Sequence, residues 1–107
     1  MDFLPLSEPV LLILLSLAEQ PRHGYAILKN VEEMSDGRVT LSTGTHYGAL
    51  RRLLDERWIE RFKEEENSRG RQAYRLTPRG RQILRAEVVR LKHLTKVASL
   101  LMAPKEM

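Results

Sequence analysis

The sequence predicts a mainly helical domain with one small β-hairpin, an α+β fold. Three observations carry that prediction. Apolar residues recur at helical spacing in separate stretches, and two stretches around residues 58–64 and 72–76 alternate about a polar tip. Ser7, Ser42 and Thr77 each stand where a helix needs an N-cap. The expected order is helix, helix, short strand, helix, hairpin, long helix.

The first helix is expected from a cap at Ser7 to about Gln20. Its apolar residues surround it almost completely, so it belongs between other elements and not on one face. Pro21-Arg22-His23-Gly24 reads as a turn. A second helix comes next, from about Gly24 to Met34, with Tyr25, Leu28, Val31 and Met34 on one side, and Gly37 suits the left-handed cap beyond it. Val39-Thr40-Leu41 is expected to add to the edge of a small sheet. Ser42 then caps a third helix, Thr43 to about Arg57, with Leu50, Leu53 and Leu54 inward.

Trp58 to Glu64 and Gln72 to Leu76 read as two strands, joined by the polar tip Glu65 to Arg71. Thr77-Pro78 opens a last helix that runs to about Met102, where Pro104 stops it. In that helix Leu84, Leu91 and Ala98 fall seven apart, as do Leu94 and Leu101, with Glu87 spoiling the second series at its start. Val88, Val89, Val97 and Leu100 add more apolar surface than packing on one domain requires. The helix is therefore expected to be shared with a partner subunit. Residues 1–80 form the expected first unit, 81–103 the shared helix and 104–107 a tail.

Composition narrows the function. The chain has 107 residues, 42% apolar and 30% charged, which is globular composition for one domain. It has no cysteine, so disulfides, thiolate metal sites and cysteine nucleophiles are excluded. Val10 to Ala18 is too short to span a bilayer and has no basic leader, so a cytoplasmic location without a membrane partner is expected. His23, His46 and His93 fall in three different elements without metal-ligand spacing. Gly24, Gly37, Gly44 and Gly48 form no phosphate loop and read as turn, cap or close-packing residues. Glu64 to Glu66 is an acidic run on a hairpin, a solvated feature and not an acid–base pair. No catalytic residue, metal or cofactor is expected, and hence no enzyme.

Basic residues outnumber acidic ones 18 to 14, for a net charge of +4. They crowd the hairpin and the start of the last helix: Arg61, Lys63, Arg69, Arg71, Arg75, Arg79, Arg81 and Arg85. Arginine's forked donors suit phosphate and guanine edges. A third helix offered to a groove with a basic hairpin beside it is the winged helix-turn-helix layout, with a long C-terminal dimerisation helix appended.

Five blocks of residues carry a more specific likeness. Leu11 to Leu15, then His23-Gly24-Tyr25 with Ile27, then Gly44-Thr45-His46-Tyr47 with Leu50 and Leu53, then Trp58-Ile59, then Tyr74-Arg75-Leu76-Thr77 with Gly80 resemble, in that order, the PadR family of bacterial transcriptional regulators. The match covers about residues 10 to 85; each block is weak alone and the ordered set is specific. The resemblance implies a winged-helix DNA-binding domain, a C-terminal dimerisation helix and usually repression, often relieved by a small molecule. A single C-terminal helix is similar to the short subfamily. The chain departs from the family pattern twice. His46 stands where an apolar residue is usual, which favours a half-buried packing role over base reading. Arg57 stands where Gly is usual, which implies backbone strain of about 1 kcal/mol if that residue is left-handed.

Thr43 and Thr45 occupy the first turn of the third helix, where side chains meet base edges and N–H groups meet phosphate; simple capping preference is the alternative. Tyr47 is expected to pack its ring inward and bring its hydroxyl to the rim, within reach of phosphate. Arg51 either reaches phosphate or guanine or pairs with Asp55. Arg69 and Arg71 are candidates for phosphate or the minor groove, and Tyr25 and Lys29 for the flanking backbone. Leu84, Leu91, Leu94, Ala98 and Leu101 are the expected dimerisation residues. Trp58 is expected in the core and not on a ligand. An effector pocket between Leu91, Leu94, Ala98 and the first helix is allowed but not required. The resulting reading is a homodimeric repressor on a near-palindromic site of double-stranded DNA. The alternative is a small basic module that binds RNA or a protein without sequence preference.

Overall fold

Ser7 accepts the N–H of Val10 on its Oγ at 3.3 Å, and the first helix, α1 (Glu8–Glu19), starts there. The computed structural model of the chain describes residues 3–62 and 72–104. After α1 come β1 (Arg22–His23), α2 (Gly24–Met34), α3 (Thr43–Asp55), β2 (Ile59–Phe62), β3 (Ala73–Leu76) and α4 (Pro78–Met102). The mainly helical fold with a small antiparallel sheet is the one the sequence predicts, a winged helix-turn-helix followed by a long helix.

The sheet departs from expectation in one strand. Val39 to Leu41 form no strand; Val39 instead buries its side chain and gives its N–H to Ser35 Oγ at 2.9 Å. The third strand is Arg22–His23, within the expected turn. It pairs antiparallel with β3, Arg22 opposite Tyr74 and His23 opposite Ala73, giving the order β1-β3-β2. Two residues carry no alternation to read, and their partners lie some fifty positions away, so local sequence held no signal for the pairing.

α1 packs against α2, α4 and β3, as its all-round apolar surface requires. Ile13 and Leu14 are wholly buried there, with Ile27 and Val31 of α2, Leu50 of α3, Ile59 of β2 and Ile83 of α4 completing the core. On α2 the inner face is Gly24, Ile27, Leu28 and Val31. Tyr25 and Met34, expected on that face, are 61% and 40% exposed.

A tight corner joins α3, β2 and α4. The helix ends at Asp55, two residues before the expected Arg57, because Arg57 is left-handed with φ 63°. The position that the family resemblance gives to Gly thus holds an arginine under strain of about 1 kcal/mol. The Thr77 hydroxyl works twice at this corner, donating to the Arg57 carbonyl at 2.6 Å and accepting from Gly80 N–H at 2.9 Å as the cap of α4. Gly80 lies so close to β2 that a Cβ there would stand 1.9 Å from the Trp58 carbonyl oxygen. Trp58 is buried, as expected, with Phe3 edge-on to its ring at 5.3 Å.

Leu84 requires a correction as a dimerisation residue. It is 5% exposed and belongs to this chain's own core. Leu91 is half-buried, whereas Leu94, Ala98 and Leu101 are exposed farther along α4. Glu87, which breaks the heptad series, is buried: it accepts the backbone N–H of Leu6 at 2.8 Å and pairs with Arg90. Arg90 holds the Glu87 carboxyl below its ordinary range against the opposing effect of burial, with the Leu6 N–H contributing in the same sense as Arg90.

Candidate nucleic-acid interface

The candidate surface is built on α3. Ser42 caps that helix: its Oγ accepts the Thr45 N–H at 3.2 Å and donates to Thr45 Oγ1 at 2.9 Å. His46, Ala49, Leu50 and Leu53 form the buried face of α3. A helix turns 100° per residue, so the strip opposite that face runs through Gly44, Gly48 and Arg51. A Cβ added at Gly44 or Gly48 would meet no atom within 4 Å. These two glycines, expected as turn, cap or close-packing residues, are therefore bare backbone facing outward. Thr43 and Thr45 flank the strip, and both are exposed. Arg51 is exposed at its end and, among the described residues, makes no ion pair with Asp55.

α2 supplies the rim. Tyr25 is exposed and Lys29 extends over it, its ammonium 5.7 Å from the ring centroid and 3.8 Å from a Glu32 carboxylate oxygen. Tyr47 leans from α3 across the start of α2: a Cβ on Gly24 would lie 2.7 Å from its Cε1 and 2.8 Å from its hydroxyl. The residue is 39% exposed, with its ring edge and hydroxyl lying against Gly24. Tyr25, Lys29, Thr43, Thr45, Tyr47 and Arg51 thus share the exposed surface of α2 and α3. Arg69 and Arg71 lie outside the described residues. On the described part of the hairpin Arg61 is exposed, while Arg75 pairs with Glu60 at 2.9 Å and stacks over Phe62.

His46 is buried completely, beyond the half-burial expected, and does not belong to the outer strip. Its Nε2 lies 2.8 Å from the Gly24 carbonyl oxygen, while its Nδ1 is buried without a partner. Burial holds the His46 pKa below its ordinary value, and the bond to Gly24 opposes that shift. The only advance signal was a polar residue on an otherwise apolar helix face. Gly24 as the meeting point of His46 and Tyr47 carried no signal of its own.

A cavity of about 290 Å³ opens behind α3, lined by Phe3, Leu6, Val10, Ala49, Leu53 and Trp58 among others. It is distinct from the effector pocket expected along α4. Among the described residues no group of three or more His, Cys, Asp or Glu could hold a metal ion, and no helix is long and apolar enough to cross a membrane.

Residues 13–86 match the transcriptional regulator PadR-like family. The chain belongs to that family. A PadR family transcription regulator from hypervirulent Clostridium difficile R20291 is 29% identical, with a TM-score of 0.75 over 91% of this chain and 100% of that one. A transcriptional regulator from Clostridium thermocellum is 28% identical, with a TM-score of 0.71 over 87% and 91% of the two chains. An uncharacterized 37.1 kDa protein in transposon TN4556 of Streptomyces fradiae is 38% identical over 89 residues. Those residues are 83% of this chain and 24% of that protein, so this PadR-like chain spans about a quarter of that relative's length. The family-level role that these matches support is that of a PadR-like DNA-binding transcriptional regulator.

Proposed function

We propose that this PadR-like chain is a homodimeric repressor of the short subfamily, with α4 as its single dimerisation helix, acting in the cytoplasm on a near-palindromic promoter site. The observation that carries the reading is the uncovered strip of α3. Its bare glycine backbone lets the helix approach base edges closely, with Thr43, Thr45 and Arg51 beside it. Tyr25, Lys29 and Tyr47 are then placed for flanking phosphates, and Arg69 and Arg71 are assigned to phosphate or the minor groove. Leu94, Ala98 and Leu101, with Leu91 at their edge, support the dimer because exposed apolar surface on one helix is costly to leave in water. Release by a small molecule is part of the proposal, and requires a ligand that binds the free and DNA-bound forms unequally.

Affinity measured on a preferred duplex and a scrambled one across a salt series tests the assignment of contacts. Arg71→Ala should weaken both alike and lower the salt slope by about 1. Thr45→Ala should cost about 1–3 kcal/mol on the preferred duplex and little on the scrambled one. Equal losses on both duplexes for both variants would remove α3 as the reading element and favour a sequence-blind basic module.

A further inference from the structure

We propose that His46 is a positioning residue for DNA recognition: by donating its Nε2–H to the Gly24 carbonyl it sets the rotation of α3 against α2. The inference rests on the reading of α3 as the DNA-facing helix and adds what holds that helix in register.

The bond spans two elements that no other side-chain hydrogen bond among the described residues joins. Gly24 is the first residue of α2, and its carbonyl lies 2.8 Å from Nε2. A carbonyl only accepts, so Nε2 carries the proton. The buried, unpartnered Nδ1 agrees, because the other tautomer would leave a buried N–H without an acceptor and set two acceptors face to face. Tyr47 packs on the same glycine from the next position and meets the His46 ring nearly at right angles, centroids 5.1 Å apart. Gly24 is thereby held twice, through its carbonyl by His46 and across its Cα by Tyr47.

An apolar side chain at position 46 would fill the same volume, and dispersion would keep the helices together. It would not supply the directional restraint that the bond to the Gly24 carbonyl adds to that packing, because the hydrophobic effect is non-directional and a hydrogen bond is not. The ends of this bond adjoin Tyr25 on α2 and Thr45 and Tyr47 on α3, all exposed. A small rotation at the joint moves those side chains relative to one another, and base contacts tolerate misplacement poorly while phosphate contacts are more forgiving.

Two variants of the full chain separate positioning from plain stability. Glutamine can present an N–H to the Gly24 carbonyl; leucine fills the space and cannot. Affinities for a duplex selected by the wild-type protein and for a scrambled duplex are measured with each, beside a thermal melt. His46→Leu should lose about fivefold to tenfold on the selected duplex, the worth of one hydrogen bond, with little change on the scrambled one. His46→Gln should restore most of that preference. Equal loss on both duplexes, or no loss in the leucine variant, overturns the inference and leaves His46 a packing residue. Nitrogen-15 histidine spectra of the wild-type protein need no variant to fold: they should show a proton on Nε2 and none on Nδ1, and the opposite tautomer also overturns it. A wild-type protein without any duplex preference would defeat the functional reading itself. A preference that is intact in both variants would defeat only this inference.

Discussion

At position 48 a glycine sits in the middle of α3 with nothing over it. Glycine costs a helix interior about 1 kcal/mol relative to alanine, so its presence opposes stability. Gly48→Ala should therefore raise the unfolding free energy by about 0.5–1 kcal/mol while weakening binding to the preferred duplex, because the added methyl stands where the backbone is to approach the groove. Denaturant melts and a binding titration on the same sample check the pair of signs; a gain in both stability and affinity would show that this strip does not face DNA. Gly80 gives the opposite expectation. A methyl there would overlap the Trp58 carbonyl, so Gly80→Ala should destabilise by about 1–3 kcal/mol, lowering Tm by roughly 10 °C. His46 adds a pH dependence. Its folded-state pKa is depressed, so the unfolded chain takes up the proton first, and stability falls as pH drops through the ordinary histidine value near 6.5 towards the lower folded value. Melts from about pH 7.5 down to about pH 5.5 should show this decline in the wild type and a smaller one in His46→Gln.

Among the elements, the helices were legible because their signals are local. Ser7, Ser42 and Thr77 cap α1, α3 and α4 as their positions predict, and α1's all-round apolar surface matches its place between α2, α4 and β3. What escaped was non-local. β1 has two residues and exists only because β3 comes alongside it. Leu84 falls in the same heptad series as Leu91, yet the first turns of α4 belong to the core of the domain. Sequence spacing cannot say where a helix leaves its own domain. The outward glycines and the His46–Gly24 bond were hidden for the same reason: each is defined by what lies across from it, or by nothing lying there. Glu87 marks the transition along α4. Its folded-state pKa is depressed, so its stabilising contribution is complete above the ordinary carboxyl value of 4.5 and is lost as pH falls through that value to the lower folded one. Glu87→Gln should keep an acceptor for the Leu6 N–H, lose the attraction of Arg90 and flatten the acid limb of a stability–pH profile below about pH 5.

On the scale of the whole molecule, α4 carries the unmet surface. Val89, Leu100, Leu101 and Met102 are 66–82% exposed, and Leu94 is 48% exposed. Placing Glu at Leu94 or Leu101 should weaken self-association, because a charge buried without a partner costs several kcal/mol. Sedimentation should report a dimer for the wild type and a shift towards monomer for either variant; a monomeric wild type at tens of micromolar would contradict the shared-helix proposal. A two-fold dimer in turn places two copies of α3 in symmetric relation, and this is the physical reason for expecting a near-palindromic site with half-sites about one helical turn or a multiple of it apart. Selection from a pool of random duplex DNA by the purified full chain decides whether this dimer reads sequence. Enrichment of one near-palindromic site is expected, with preference lost when either half is scrambled. Retention of the pool without enrichment would contradict that reading.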